Sequence, residues 1–360
     1  MKHITCGRSP FEIGKHHGKV AKDEVIRSLT FYADYFQSKS GLAWSDAVAV
    51  AERFLPCLQK HCPHLVEEMR GIASGASLAF GDILALNVRT EISMGLGLVS
   101  DGCTSLYWNP MGDRGILAQN WDWETAQREN LVQLQIQQSD GRPALSIVTE
   151  AGIIGKIGLN GSGVGVCLNA IRARGVNFAR LPVHIALRSV LECTSLQEAV
   201  ARLQSVGVAA SCHILIADSK DACGLECSHA DIVELPAQDG IYTHTNHWLK
   251  PHSGPDGPIT ESVFLQDSVP RLSRLDELLA NDSMKTSVSD KEGMLQTGMS
   301  AVEKMLDDEE NFPESINKST SADSSVATLF SIVMDLANQE AKVRIGRPTE
   351  AVEAFVLQVV

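Results

Sequence analysis

The first hundred residues carry apolar side chains at helical spacing. From Gly18 to about Leu98, apolar residues recur at three- to four-residue steps, which is typical of amphipathic helices. Within this stretch, helices are predicted at 45–60 and 64–78, because Pro63 suits the first turn of a helix better than its interior. The pattern predicts an N-terminal segment that is almost entirely α-helical.

After Cys103 the apolar positions change to a period of two. Val132, Leu134 and Ile136 alternate with glutamines, which predicts a strand with one buried and one solvated face. Short apolar runs predict further strands at 104–108, 115–120, 144–149, 156–160, 163–169, 212–217, 222–227, 231–235 and 241–245, with a final pair at 327–335 and 340–346. Helices are predicted at 182–192, 195–206, about 268–280 and 289–306.

This order of elements indicates the fold class. Short strands that look antiparallel, with helices in separate blocks, favour stacked sheets covered by helices over a doubly wound parallel sheet. We therefore predict an α+β fold, a four-layer αββα sandwich forming one structural domain. Residues 1–102 would be its α-rich segment and 103–360 its αββα core, with exposed loops at 250–262 and 313–325.

The composition of the chain argues against some classes of binding partner. The chain has 360 residues and a formal net charge of −13, and no block of Lys or Arg interrupts that acidity, so neither nucleic acid nor a membrane surface is an expected partner. Nine cysteines without framework spacing indicate free thiols in a reducing compartment. The chain starts without an apolar signal region and ends without a peroxisomal signal, so a cytoplasmic location is expected.

The candidate chemistry lies where the helical pattern gives way to the strand pattern, at Asp101-Gly102-Cys103-Thr104-Ser105. Glycine can adopt a tight conformation that exposes its carbonyl group to the thiol of the next residue. An acyl shift from nitrogen to sulfur, followed by hydrolysis, would leave Cys103 with a free α-amine. Such an amine has an ordinary pKa of about 7.7–8.0 and can accept the thiol proton. A small buried thiol is the other interpretation of this Gly-Cys pair.

Several motifs together carry a family resemblance. They are the motif at Cys103, Gln119-Asn120-Trp121-Asp122, Thr149-Glu150-Ala151-Gly152-Ile153-Ile154-Gly155-Lys156, His244-Thr245-Asn246-His247 and Gly346-Arg347-Pro348-Thr349. In this order, starting from Phe11-Glu12-Ile13-Gly14, the chain resembles the acyl-CoA:6-aminopenicillanic acid acyltransferase (isopenicillin N acyltransferase) family along nearly its whole length.

The resemblance implies an N-terminal nucleophile hydrolase that cleaves itself between Gly102 and Cys103, with both fragments remaining associated. It implies that Cys103 is the nucleophile, that Asp122 holds the new α-amine, and that Asn246 is the oxyanion-hole donor. It also implies acyl-CoA as cosubstrate, a small-molecule amine or amide as partner, and no cofactor. Judged on the residues alone, Asp122 could instead cap a loop and Asn246 could be a turn residue.

One departure from the family concerns a cation. The family has a Ser-Arg pair where this chain has Ser324-Ser325, so the arginine expected to support the thiolate is replaced by Ser325. We therefore expect the site to lack a cation near Cys103, with altered self-cleavage, rate or substrate range. A second family serine is kept as Ser228. Ser228, Ser324 and Ser325 are the candidate substrate contacts.

Other polar clusters are weaker candidates. Helix geometry and Pro63 argue against zinc at Cys57, His61, Cys62 and His64, and strand geometry argues against His244 with His247. No metal site is predicted. The glycines at 161, 163 and 165 precede a strand rather than a helix, so they do not form a nucleotide fingerprint.

Four charged residues near these motifs stay outside the predicted catalytic set. Glu150 could bind a substrate amine but is equally typical of a structural carboxylate. Arg172, Arg174 and Arg180 could meet an acyl-CoA phosphate or a substrate carboxylate, although we expect them in a solvated loop.

Three functional hypotheses follow, in order of preference. The first is transfer of an acyl group from acyl-CoA or an amide to an amine, such as a 6-aminopenicillanate-like or peptide-derived metabolite, through a Cys103 thioester. The second is hydrolysis of N-acyl amides with the same nucleophile. The third is a catalytically silent homologue that acts as a binding or scaffold protein.

Overall fold

The computed structural model describes residues 1–96, 102–262, 265–280 and 291–359. The helices in this part of the chain are α1 (Pro10–Val20), α2 (Lys22–Ser40), α3 (Trp44–Glu52), α4 (Leu55–His61), α5 (Pro63–Ala76), α6 (Phe80–Asn87), α7 (Arg89–Leu96), α8 (Val183–Val190), α9 (Leu196–Val206), α10 (Ser268–Ala280) and α11 (Lys291–Leu306). The predicted helix limit near Leu98, Asp101, and residues 289 and 290 lie outside the described residues.

The strands form two large sheets and a small hairpin. They are β1 (Lys2–Cys6), β2 (Gly102–Trp108), β3 (Ile116–Glu124), β4 (Leu131–Ile136), β5 (Leu145–Glu150), β6 (Ile157–Asn160), β7 (Gly165–Ala170), β8 (Cys212–Ala217), β9 (Ala222–Cys227), β10 (Ile232–Pro236), β11 (Ile241–His244), β12 (His252–Gly254), β13 (Gly257–Ile259), β14 (Val326–Asp335), β15 (Glu340–Ile345) and β16 (Glu353–Gln358). The larger sheet has the order β1-β4-β5-β6-β7-β8-β9-β10, and the smaller β11-β2-β3-β14-β15-β16.

The two large sheets stack between layers of helices. Helices α8 and α9 contact the larger sheet, whereas α10 and α11 contact the smaller one. Strand alternation decides which way each side chain points. Leu106 of β2 packs with Leu275 and Val302 on the outer helices, while Cys103 and Tyr107 belong to the other hydrophobic core, toward the larger sheet. The predicted α+β fold, a four-layer αββα sandwich, is confirmed.

The helices of the N-terminal segment pack unusually closely. Glycines recur at four-residue spacing on one face of α1 and of α5. A Cβ at Gly14 would lie 1.8 Å from the Glu68 carbonyl oxygen, and one at Gly18 would lie 2.2 Å from that of Ile72. These glycines therefore allow the two backbones to touch. At the buried side of α5, Glu68 forms a two-point ion pair with Arg188 of α8 at 2.9 and 3.0 Å.

The structure corrects several predicted boundaries. Ahead of the predicted helices, the N-terminal segment contains a strand that was not predicted, because β1 pairs in parallel with β4 at the edge of the larger sheet. The helix predicted at 45–60 is two helices, α3 and α4. The loop predicted at 250–262 contains the hairpin of β12 and β13, and β16 follows the pair predicted to be last.

Charged residues occur along the helices. Across the described ranges, none of the helices combines the length with the apolar character that a membrane span requires.

Candidate active site

The Gly102-Cys103 peptide opens β2, the strand between β11 and β3 in the smaller sheet. The Cys103 side chain is only 1% exposed. Its backbone N–H donates a hydrogen bond to Asn246 Oδ1 at 2.8 Å, and its carbonyl oxygen accepts one from Arg271 Nη1 at 2.7 Å. Side chains from two distant segments therefore hold both backbone polar groups of the predicted nucleophile.

Asp122 lies beside the predicted cleavage point. It is on β3, directly across the antiparallel ladder from Gly102. A Cβ added to Gly102 would lie 2.9 Å from Asp122 Oδ2, a separation at which one of the groups must shift. Residue 102 is therefore glycine for a steric reason, since the absence of a side chain lets the carboxylate approach the backbone.

The Asp122 carboxylate is buried and only partly satisfied. Thr328 Oγ1 of β14 donates a hydrogen bond to Oδ1 at 2.7 Å, while none of the described residues donates one to Oδ2. Burial raises the pKa of Asp122 to about 6, against the opposing effect of the Arg271 and Lys318 cations. An acceptor oxygen is thus left open next to the Gly102 backbone.

Asp122 also shows where strand prediction fails. The predicted strand at 115–120 stops short of Asp122, whereas β3 continues to Glu124. The polar and aromatic residues of this stretch interrupt the apolar pattern. Trp121, Asp122 and Trp123 are nevertheless buried. Strand β14 pairs with β3 along this stretch, on the edge opposite β2, and the register shifts between Thr328 and Phe330.

The hydrogen bonds around Asn246 fix the orientation of its side-chain amide. Oδ1 accepts from the Cys103 N–H and from Arg271 Nη2 at 2.9 Å, while Nδ2 donates to the Ala170 carbonyl oxygen at 3.0 Å. A guanidinium group and a backbone N–H can only donate, and a carbonyl oxygen can only accept. The carbonyl side of the Asn246 amide therefore faces Cys103 nitrogen. The oxyanion-hole role stays a prediction.

Arg271 is the main residue that sequence reasoning missed. It lies on α10, is 1% exposed, and also donates to Thr104 Oγ1 at 3.0 Å and to Asp267 Oδ2 at 2.8 Å. An arginine on an amphipathic helix ordinarily predicts a solvated side chain, so no local signal marks it. The expectation that the site lacks a cation near Cys103 is wrong, because Arg271 supplies one.

The three candidate serines lie in different surroundings. Ser324 lines a cavity of about 350 Å³ that reaches Gly102. Ser325 is exposed, and its hydroxyl group bonds to the carboxylate of Glu124. Ser228 is buried in the turn between β9 and β10, where its hydroxyl group bonds to the carboxylate of Asp231 and to two backbone N–H groups. Of the three, Ser324 is the one beside the predicted cleavage point.

Charged side chains line the same cavity. Lys318 lies on it with its Nζ 2.9 Å from Asp267 Oδ2, and Arg172 and Glu314 also contribute. Arg172 is buried, so its predicted place in a solvated loop is wrong. Arg174 is exposed as expected. The cavity therefore offers both cationic and anionic groups to a ligand that approaches Gly102.

Arg180 differs from the prediction in the same way as Arg172, though less strongly. It is half-buried and donates to the carbonyl oxygen of Ala230 at 2.5 Å.

Glu150, the last residue of β5 in the larger sheet, is part of a buried ionic network. Its carboxylate lies 2.8 Å from Arg89 Nη2 and 2.6 Å from Lys156 Nζ, and it accepts a bond from Tyr32. Although burial opposes ionisation, these two cations hold the pKa of Glu150 well below its ordinary value. The contacts give Glu150 a structural role, in keeping with its exclusion from the predicted catalytic set.

Metal ligands do not cluster in the described ranges: no three His, Cys, Asp or Glu side chains there are arranged to hold a metal ion.

Comparisons with known proteins agree with the motifs. The model of the family described as acyl-coenzyme A:6-aminopenicillanic acid acyl-transferase matches residues 108–350, a range that includes Asp122 and Asn246. The acyl-coenzyme A:6-aminopenicillanic-acid-acyltransferase 40 kDa form of Emericella nidulans is 38% identical over 363 residues, covering 99% of this chain and 96% of that protein.

Two solved structures show weaker similarity. Penicillin V acylase from Agrobacterium tumefaciens has 11% identity and a TM-score of 0.45, with 71% of this chain and 86% of that chain covered. A variant of conjugated bile acid hydrolase from Clostridium perfringens has 12% identity and a TM-score of 0.43, with 71% and 92% covered. At these values the similarity supports no conclusion about chemistry.

Proposed function

Because the chain belongs to the acyl-coenzyme A:6-aminopenicillanic acid acyl-transferase family, we propose that it is a self-cleaving acyltransferase whose nucleophile is Cys103. The observation that carries this proposal is the setting of the Gly102-Cys103 peptide. Its N–H is held by Asn246, and its glycine lies against an open carboxylate oxygen of Asp122.

Self-cleavage begins with the Cys103 thiol. Its sulfur adds to the Gly102 carbonyl carbon, the peptide C–N bond breaks, and the departing nitrogen takes up the thiol proton. Water then hydrolyses the thioester, which leaves a carboxylate on Gly102 and a free thiol and α-amine on Cys103. Gly102 supports this step because it lets Asp122 lie next to the bond that breaks.

The new α-amine then serves as the base for turnover. A neutral amine has two hydrogens and one lone pair. Asn246 Oδ1 already accepts from this nitrogen, and Asp122 Oδ2 is an open acceptor next to the Gly102 backbone. We propose that Oδ2 accepts the second hydrogen, which leaves the lone pair for the thiol proton. With an ordinary pKa of about 7.7–8.0, such an amine can exchange that proton near neutral pH. The nucleophile and its base then belong to one residue.

Acyl transfer takes two further steps. The Cys103 sulfur attacks the thioester carbonyl of acyl-CoA, the carbon–sulfur bond to coenzyme A breaks, and free coenzyme A leaves with a proton. An amine such as 6-aminopenicillanic acid then attacks the Cys103 thioester, forms an amide and restores the thiol. Exchange of one thioester for another costs little free energy, so a thiol nucleophile suits an acyl-CoA donor. The cavity at Gly102 gives the amine a polar approach.

The two fragments should remain associated after cleavage. Strand β1 pairs with β4 along five residue pairs. Buried ion pairs join Glu68 to Arg188 and Arg89 to Glu150. All these contacts connect residues before Gly102 with residues after it, and none depends on the peptide bond that breaks.

Intact-mass measurement of the purified protein tests the nucleophile. We expect wild type to give fragments 1–102 and 103–360, and Cys103→Ala to stay intact. Cys167→Ala, which removes a buried thiol from the facing sheet, is the matched control and should cleave like wild type. An intact wild-type chain that is also unreactive toward acyl-thioester probes would contradict the proposal and favour a scaffold protein.

A second measurement tests the reaction. Release of coenzyme A beyond one equivalent per enzyme should require both acyl-CoA and 6-aminopenicillanic acid, and that further release should be matched by the amount of amide formed. Equal sustained release without the amine, with free acid in place of amide, would show that water and not the amine accepts the acyl group. Formation of free acid from an N-acyl amide such as a penicillin would identify an amidohydrolase.

A further inference from the structure

Arg271 joins three parts of the site that are far apart in sequence. Its guanidinium group reaches the Cys103 carbonyl oxygen and the Thr104 hydroxyl through Nη1, Asn246 Oδ1 through Nη2, and Asp267 through Nε. The planar guanidinium group, with its fork of N–H donors, therefore donates to groups on β2, on the segment after β11 and at the start of α10.

We infer that Arg271 is a positioning residue for Cys103, because its guanidinium group holds the Asn246 amide with Oδ1 toward the Cys103 nitrogen. This inference rests on the proposed function, since it assigns a role within the chemistry of Cys103. Arg271 acts through Asn246 and through the β2 backbone, not on the reacting atoms themselves.

The need for such a residue arises after cleavage. In the intact chain the Cys103 N–H can only donate, so it helps to orient Asn246 by itself. A liberated amine can also accept, so a reversed Asn246 amide could donate from Nδ2 to the lone pair that must take the thiol proton. Arg271 opposes that reversal, because its Nη2 would then face another donor at 2.9 Å. The Ala170 carbonyl oxygen opposes it from the other side.

Arg271 is itself firmly held. Although burial opposes ionisation, the Arg271 and Lys318 cations hold the pKa of Asp267 at about 2, so the Arg271–Asp267 pair is charged at neutral pH. Lysine cannot replace this arrangement, because one ammonium group cannot reach acceptors on three sides with the geometry of a guanidinium fork. The position therefore requires arginine for its shape as well as its charge.

Charge gives a second, separable effect on Asp122. The charged groups that act on this carboxylate are Arg271, Lys318 and Asp267, and Thr328 donates to it. Burial raises the pKa of Asp122 and the Arg271 cation lowers it, so removal of that cation should raise the pKa above about 6. An Arg271→Lys substitution keeps the cation but loses the fork, which separates charge from geometry.

The experiment compares Arg271→Met and Arg271→Lys with Arg274→Met. Arg274 lies on the same helix, is partly exposed and pairs with the Asp308 carboxylate, so it is a matched control outside the site. For each variant, intact mass gives the rate of self-cleavage, coenzyme A release gives kcat and KM from pH 5 to 9, and thermal unfolding shows whether the variant is folded. Wild type and Cys103→Ala are measured alongside.

We expect Arg271→Met to turn over at least about tenfold more slowly than wild type once it is cleaved, with KM changed less than about threefold and the acidic limb of the profile moved to higher pH. Arg271→Lys should also be slow, but with its acidic limb near that of wild type. Arg274→Met should match wild type. The double variant Arg271→Met/Asn246→Ala should turn over more slowly than wild type by a factor smaller than the product of the factors for the two single variants.

Four results would overturn the inference. Wild-type rates in Arg271→Lys would show that the fork is not needed. Fully multiplicative effects with Asn246→Ala would show that Arg271 does not act through Asn246. A folded wild type that never cleaves would remove the proposed function together with this role, whereas a cleaving wild type matched by both Arg271 variants would remove the role of Arg271 alone.

Discussion

Replacing Thr328 by valine tests whether an ionised Asp122 is needed for turnover. The Thr328 hydroxyl group donates to Asp122 Oδ1 at 2.7 Å in a buried site, and valine has almost the same shape. A hydrogen bond to a charged group is worth about 1.5–3 kcal/mol, and 1.36 kcal/mol corresponds to one pKa unit. The loss should therefore raise the pKa of Asp122 by roughly 1 to 2 units from its present value of about 6.

The sign of the effect on activity follows from protonation. As pH falls through the pKa of Asp122, the carboxylate becomes neutral and no longer stabilises a protonated α-amine. The acidic limb of kcat/KM should thus lie about 1 to 2 pH units higher in Thr328→Val than in wild type. At pH 8.5 to 9 the two proteins should approach each other in rate.

The assay is coenzyme A release with acyl-CoA and 6-aminopenicillanic acid over pH 5 to 9. Thr328→Ser restores the hydroxyl group and should return the limb toward its wild-type position. Thr149→Val, which removes a buried hydroxyl group from the other sheet, controls for generic effects. Thr328 Oγ1 also accepts from the Lys318 N–H at 3.1 Å, so Thr328→Val should lose about 1–3 kcal/mol of unfolding free energy. An unmoved acidic limb in a folded Thr328→Val protein would refute the reasoning.

Three further substitutions test the packing. Gly102→Ala places a Cβ 2.9 Å from Asp122 Oδ2 and should slow self-cleavage at least about tenfold by intact mass, so an unchanged rate would show that the close approach is unimportant. Glu150→Gln removes the carboxylate that neutralises two buried cations, so the free energy of unfolding, measured with urea, should fall by about 3–5 kcal/mol. An unchanged free energy would show that the network is dispensable. Gly18→Ala places a Cβ 2.2 Å from a carbonyl oxygen of α5 and should lower the free energy of unfolding by about 1–3 kcal/mol. The control is Gly161→Ala, whose Cβ would have no neighbour closer than 3.6 Å, and it should lower that free energy by less than half as much.

Local patterns in the sequence determined the order of elements, most strand positions and the family. Apolar periodicity is a property of neighbouring residues, so the strands at 212–217 and 222–227 and the helix at 268–280 have the bounds predicted for them. The series of motifs along the chain, taken together, sufficed for the family assignment, which the comparisons confirm together with an enzyme of this acyltransferase type.

What only the tertiary structure decided is which charges are buried together. Arg271 and Cys103 are 168 residues apart, and no local pattern marks the arginine as an active-site residue. Arg172 is buried although the sequence predicted it to lie in a solvated loop. The raised pKa of Asp122 and the orientation of the Asn246 amide follow from burial and from donors on other segments. Burial and long-range hydrogen bonding are properties of the packed chain, and periodicity along the sequence does not encode them.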